Sequence, residues 1–146
     1  MTTEYTGDDF YCDIAIPRKI RLKIVHEDDW ILAFHHTRPY WPVHIVVVPK
    51  KHITSLTTLV GFEQGLLARV MERIQVIASK LEEEHGAARV LTNLGTYQDS
   101  KHLHFHVSFG EPLAEAKLRD GLERFATLTE GVAENYKPSS YLKHQK

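Results

Sequence analysis

Only one cysteine, Cys12, occurs in 146 residues, so no internal disulfide can form and no all-cysteine zinc cage can be built from this chain alone. No apolar run approaches the length that crosses a bilayer. The start, MTTEYTGDDF, has neither the cationic residues nor the apolar stretch of a secretory leader. Neither sign of charge dominates: 18 basic against 19 acidic side chains leave a formal net charge of -1. No basic stripe therefore marks a nucleic-acid or membrane surface. Together these absences predict a cytoplasmic protein that binds neither a nucleic acid polymer nor a membrane. What is plentiful is apolar residues, 42% against 25% charged, enough for one domain with a buried core. Ten histidines are present, three of them at alternate positions in KHLHFHVSF, residues 101–109.

Periodicity places those histidines among strands. RLKIVHED (21–28) and DWILAFHH (29–36) read as a hairpin turning at Asp28 and Asp29, and HIVVVP (44–49) as a central strand ended by Pro49. From about Thr58 to His85 the spacing changes to threes and fours through Leu67, Val70, Met71, Ile74, Ile77, Ala78 and Leu81, with Gly86 placed to end a long helix. ARVLTN (88–93) predicts another strand, 94–101 a polar loop, and HLHFHVSF the strand that follows. Pro112 suits a helix's first turn, and Leu118, Leu122, Phe125 and Leu128 form an apolar stripe expected to cover core.

On a strand successive side chains alternate, so Leu103, Phe105 and Val107 should enter the core while His102, His104 and His106 share the opposite face. At about 3.3 Å per residue the outer two Cα atoms stand about 13 Å apart, which lines a groove better than it encloses a point. That spacing disfavours a catalytic metal, which would need a further ligand from His44, His52, His35, His36 or Asp99. A solvated strand face is the plainer alternative, and it leaves the clustering unexplained. Nucleophilic catalysis uses every member of the row. One neutral imidazole attacks a phosphorus or acyl centre, and its neighbours fix the tautomer and bind the oxygens.

The segment His102-Leu103-His104-Phe105-His106-Val107 resembles the signature of the histidine triad family, and HEDDWILAFHHTRPYWPVHIVVVPKKHI (26–53) is similar to that family's first half. The likeness covers roughly residues 10 to 110. It implies an α+β fold: an antiparallel sheet of about five strands with a long helix, commonly dimerised into one extended sheet. Residues 1–110 would form this domain, and 111–146 an additional C-terminal helix and tail packed on it. The implied activity is nucleotidyl hydrolysis at the α-phosphate of a mononucleotide conjugate or dinucleoside polyphosphate. His104 is the implied nucleophile that forms a nucleotidyl-histidine, and His106 binds phosphate oxygens. His102 and His44 are the implied support that sets the tautomer of His104. Nucleotide contacts carried over by position are Phe34 and His35 at base and ribose, Asn93 near phosphate or ribose, and the loop residues Gln98, Asp99 and Ser100.

The chain departs from the family pattern at three places. His36 stands where an acidic residue bonds the ribose hydroxyls, which a single imidazole cannot do in the same way. Tyr97-Gln98-Asp99-Ser100 replaces the usual Gly-Gln-Ser-Val in a shorter loop. Asp9-Phe10-Tyr11-Cys12 stands where some members begin with a Cys-x-x-Cys zinc pair, which argues against a structural zinc. No cofactor is expected to be required. Two other readings stay open at this point: a weakly catalytic nucleotide-binding regulator, and a metal-dependent protein built on the same histidines.

Overall fold

The computed structural model describes residue 5 and residues 7–129. Five strands form one antiparallel sheet in the order β1-β2-β3-β5-β4: β1 (Ile24–Glu27), β2 (Ile31–His35), β3 (Val43–Pro49), β4 (Arg89–Leu91) and β5 (Phe105–Phe109). The hairpin between β1 and β2 closes on Asp28, whose carboxylate accepts from the Trp30 and Ile31 amides at 2.7 and 2.9 Å. β3, rich in β-branched residues, is buried along nearly its whole length between β2 and β5.

The long helix α1 runs Gln64–His85 and ends on Gly86, whose φ of +86° is the left-handed conformation that glycine adopts without strain. Its start is later than the spacing predicts. Ser55 and Thr58 close a separate turn over Leu56–Thr58, and the Glu63 carboxylate accepts from the Val60 amide, so the chain makes two short turns first. Val70, Ile74, Ile77 and Leu81 of α1 pack on Ile31, Ala33, Ile45, Val47, Leu103, Phe105 and Val107, the main core. Contact with Leu103, Phe105 and Val107 is what alternation required.

The second face of the sheet carries Leu32, Phe34, Val46 and Val48, and it is covered by an N-terminal π-helical turn, Tyr11–Ala15, through Tyr11 and Ala15. The C-terminal helix α2 (Ala114–Thr129) docks differently from expectation. Ala116 packs with Tyr40 and Trp41 and Asp120 is also buried, while Leu118, Leu122 and Phe125 are more than half exposed. Residues 130–146, the tail of the expected extension, lie outside the described residues. Among the described residues no helix is long and apolar enough to cross a membrane.

Candidate active site on the histidine face

Pairing sets the site. Val46 lies opposite Phe34 on one side and His106 on the other, and His44 lies opposite Ser108. The second sheet face therefore presents His44, His104 and His106 together with Phe34. The regular strand begins only at Phe105, three residues later than the histidine pattern predicts. Pairing with β3 stops at Val47 opposite Phe105; beyond it the Pro49 carbonyl meets Nε2 of His102 at 2.8 Å and the Leu103 amide donates to the Ile53 carbonyl at 2.6 Å. The Thr92 hydroxyl replaces a ladder bond by donating to the His104 carbonyl at 2.7 Å. His102, His104 and His106 still share a face, yet they are almost completely buried rather than lining an open groove.

Hydrogen bonds fix the tautomers. Nδ1 of His104 lies 2.7 Å from the His102 carbonyl, which only accepts, so this nitrogen carries the proton and Nε2 keeps its lone pair. The Tyr40 amide donates to Nδ1 of His44 at 3.0 Å. His44 stays neutral, its pKa pushed down to about 2, above all by burial. Its proton therefore sits on Nε2 and is donated to Nδ1 of His106 at 2.8 Å. That leaves His106 with its proton on Nε2. The Tyr40 amide thus orders His44 and His106 in series and leaves an N–H on His106, while the His102 carbonyl leaves a lone pair on His104; the rings of His104 and His106 have centroids 5.0 Å apart.

The expected support is redistributed. His102 holds His104 through its main-chain carbonyl rather than its ring, and His44 bonds His106 rather than His104. The ring of His102 faces the N-terminal segment, with Nε2 2.8 Å from the Pro49 carbonyl and Nδ1 3.2 Å from Asp9.

The residues expected at the nucleotide divide. Phe34 is 1% exposed and belongs to the core under Tyr11, Val46 and Val48, so it is packing here rather than an open wall. By strand alternation His35 points with Ile31 and Ala33 toward the α1 side, away from the triad; its pKa is lowered by burial and then by Lys23. His36 lies on the histidine side, stacked on His44 with centroids 4.3 Å apart and planes 23° apart, and its Nδ1 accepts from the Arg38 amide at 2.9 Å. Asn93 follows Leu91, the partner of His106, and its amide nitrogen is buried without a protein hydrogen-bond partner. Gln98 is buried, its amide donating to the Thr54 carbonyl at 2.7 Å, and Lys101 braces the same loop on the Gly95 and Gln98 carbonyls. Asp99 is exposed and Ser100 half-buried. With burial the larger cause, the charges of Asp9 and Asp99 raise the pKa of Tyr11, which places Asp99 near this face.

Sequence reasoning missed Tyr11, whose ring centroid is 4.8 Å from that of His104, and the main chain of Tyr40. Nothing in a local pattern signals either. Two sets of side chains bring metal-ligating atoms together: His36, His44 and His106, and Asp9, Cys12, His52 and His102. In the first, His36 and His44 are stacked nearly parallel, which prevents both rings from directing in-plane lone pairs at one ion. The second set has no such conflict. A zinc-type ion there would cross-link the N-terminal segment to the sheet and would not touch the bare nitrogen of His104.

Fold and row define a class, an antiparallel α+β protein with a line of alternating, tautomer-fixed histidines on one face of its sheet. The chain belongs to the HIT family: the HIT domain family model matches residues 18–112. It is 37% identical over 100 residues to an uncharacterized HIT-like protein of Synechococcus elongatus, covering 68% of this chain and 88% of that one. It is 29% identical over 113 residues to the purine nucleoside phosphoramidase of Escherichia coli K12, covering 73% and 92%. Among solved structures, a HIT family hydrolase from Legionella pneumophila superposes with a TM-score of 0.62 at 30% identity, covering 70% of this chain and 93% of that one. A histidine triad protein from Clostridium difficile gives 0.58 at 35%, covering 75% and 96%.

Proposed function

We propose that this protein is a nucleotidyl hydrolase acting at the α-phosphate of a nucleoside monophosphate conjugate or a dinucleoside polyphosphate. The observation that carries the reading is the proton placement: a bare Nε2 on His104 beside an N–H on His106, both set by bonds to the fold rather than by chance of titration. Nε2 of His104 attacks the α-phosphorus, and the leaving group departs with its bonding electrons as an N–P bond forms. The N–H of His106 donates to a nonbridging oxygen as negative charge redistributes. Water then attacks the nucleotidyl-histidine at phosphorus and gives up a proton to solvent as the N–P bond breaks, releasing the nucleoside monophosphate and returning the electron pair to His104. Removal of both rings from water keeps the donors fixed at no reorganisation cost. The hydrolase and phosphoramidase relatives support the reaction class, and the buried unpaired amide of Asn93 supports a ligand oxygen on this side of the sheet.

No metal takes part in this scheme. His36 and Asp99 are the residues we assign to ribose and leaving group, Ser100 flanks them, and Gln98 holds their loop in place. A cytoplasmic homodimer is part of the proposal; β1 and β4 are the two free edges of the sheet among the described residues, either of which offers unpaired main-chain groups for an edge-to-edge junction.

Intact-protein mass spectrometry of a His106→Gln variant tests the chemistry. The variant is mixed with an adenosine phosphoramidate or with diadenosine tetraphosphate, quenched without acid and mapped by peptide. One adenylyl group on the peptide containing His104 is the expected result. Absence of an adduct from both substrates, in protein that still binds adenosine monophosphate, would overturn it.

A further inference from the structure

The loop between β2 and β3 decides, through one main-chain group, which way two buried imidazoles point their protons. The Tyr40 amide lies 3.0 Å from Nδ1 of His44, and Nε2 of His44 lies 2.8 Å from Nδ1 of His106. Two neutral rings joined in this way have two arrangements. In one, His44 donates from Nε2 and His106 keeps an N–H at its far nitrogen, Nε2. In the other, His106 donates from Nδ1, its far nitrogen becomes a lone pair, and His44 turns an N–H on Nδ1 against the Tyr40 N–H. Two buried donors facing each other leave both unsatisfied, so the Tyr40 amide selects the first arrangement. That selection holds only while the amide stays in place.

The chain that follows β5 keeps it there. The Leu113 amide, just before α2, donates to the Tyr40 carbonyl at 2.8 Å, and the Leu113 carbonyl accepts from the Lys117 amide in the first turn of the helix at 3.0 Å. Ala116, 1% exposed, packs on Tyr40 and Trp41, with Leu91 and Leu113 against the same cluster. Trp41 stands edge-on to His44 with ring centroids 4.9 Å apart, and the Arg89 guanidinium lies 5.0 Å from its ring centre. Arg89 ties this stack to the end of β5 by donating to the Gly110 carbonyl at 2.8 Å. Gly110 has a φ of +102°, and a side chain there would start 2.8 Å from the Pro42 ring. Residues 110–116 thus grip residues 40–42, and both polar main-chain groups of Tyr40 are engaged, one by the entry to α2 and one by His44.

We propose that the entry and first turn of α2 position the histidine row: Leu113 and Ala116 hold Tyr40, Tyr40 sets His44, and His44 sets the N–H that His106 presents. Leu113 and Ala116 are positioning residues, acting through Tyr40 rather than on a ligand. His104 lies outside this chain of bonds, because the His102 carbonyl fixes its tautomer. The consequence for turnover rests on the nucleotidyl transfer proposed above, whereas the proton placement does not.

Long-range proton–nitrogen correlation spectra of the ligand-free, full-length protein with isotope-labelled histidine read the tautomer of each ring. In the unaltered protein we expect Nε2–H on His44 and His106 and Nδ1–H on His104. Leu113→Pro deletes the donor to Tyr40 at the entry to a helix, where proline is tolerated, and Ala116→Leu overfills the packed cluster. Each should shift His44 and His106 toward the Nδ1–H form, leave His104 unchanged and lower kcat about tenfold. Leu113→Ala, which keeps the amide, and Ala116→Ser, which nearly keeps the size, should retain the unaltered pattern. Persistence of Nε2–H on both rings in Leu113→Pro would overturn the proposal. So would a shift in Leu113→Ala as large as that in Leu113→Pro, or a simultaneous loss of all three patterns, which would assign α2 to general stability. A tautomer shift with full turnover would uphold the role of α2 and count instead against the part given to His106 in nucleotidyl transfer.

Discussion

Nε2 of His44 lies 2.8 Å from Nδ1 of His106, and both rings are essentially sealed from solvent. The bond carries a direction imposed by the Tyr40 amide, which leaves His44 only one nitrogen from which to donate. In the proposed reaction His44 is thus a positioning residue that acts through His106. His44→Ala should lower kcat about 10- to 100-fold, because a small misplacement of the phosphate donor is costly, while leaving the Kd for adenosine monophosphate within a few-fold. Equal losses in kcat and affinity would mean that His44 shapes the pocket as a whole.

In the proposed reaction His104→Ala removes the attacking nitrogen. Steady-state turnover should fall about a thousandfold or more, with affinity for nucleotide kept within about tenfold, since binding contacts lie on other residues. Near-normal turnover in this variant would remove His104 from the nucleophile's role, and a nucleotide adduct on another histidine would identify its replacement.

The burial of His44 also predicts how stability responds to acid. Its folded-state pKa of about 2 lies far below the ordinary histidine value of 6.5, so below about pH 6.5 the unfolded chain takes up a proton that the folded chain refuses. The stabilisation from a neutral His44 is complete above that pH and is lost progressively as pH falls toward about 2. The loss approaches 1.4 kcal/mol per pH unit for one proton, the limiting slope of about 1.4. Urea unfolding of the unaltered protein and of His44→Gln between pH 7 and pH 4 measures it: the variant's curve should be the flatter. Parallel curves would show that folding does not keep this ring neutral.

Much of this arrangement is written in local periodicity. The alternation of Leu103, Phe105 and Val107 with three histidines gives the faces, and the threes and fours from Val70 to Leu81 give the helix that covers one of them. Chain-wide relationships are another matter. Strand alternation already separates Phe34 from His35, but no local pattern reveals that Phe34 is roofed by Tyr11, 23 positions earlier. The tautomers depend on which atom of Tyr40, His44 and His102 meets which ring, and spacing carries no record of that. Pro49 did announce the end of β3, and the consequence for β5, that its pairing stops at Phe105, follows only once the register is known. The outward turn of Leu118, Leu122 and Phe125 departs from the rule that an amphipathic stripe seeks the core: the buried side of α2 is marked by Ala116 and Asp120 instead.

His36 stands where the family resemblance leads one to expect an acidic residue, and its geometry says what that exchange would do. Nδ1 is used in accepting the Arg38 amide, so a neutral ring offers the ligand an N–H from Nε2 and no acceptor. A carboxylate accepts from two hydroxyls at once, and bonds to a charged acceptor are stronger than neutral ones. His36→Asp should therefore tighten adenosine monophosphate by about tenfold, equivalent to about 1.4 kcal/mol. Isothermal titration with adenosine monophosphate, its 2′-deoxy form and its 2′,3′-dideoxy form distinguishes a ribose contact from a general change of charge. The gain should shrink with the first analogue and vanish with the second. A tightening that persists in the dideoxy nucleotide, or no tightening at all, would place His36 away from the ribose and leave its stack on His44 as its main contribution.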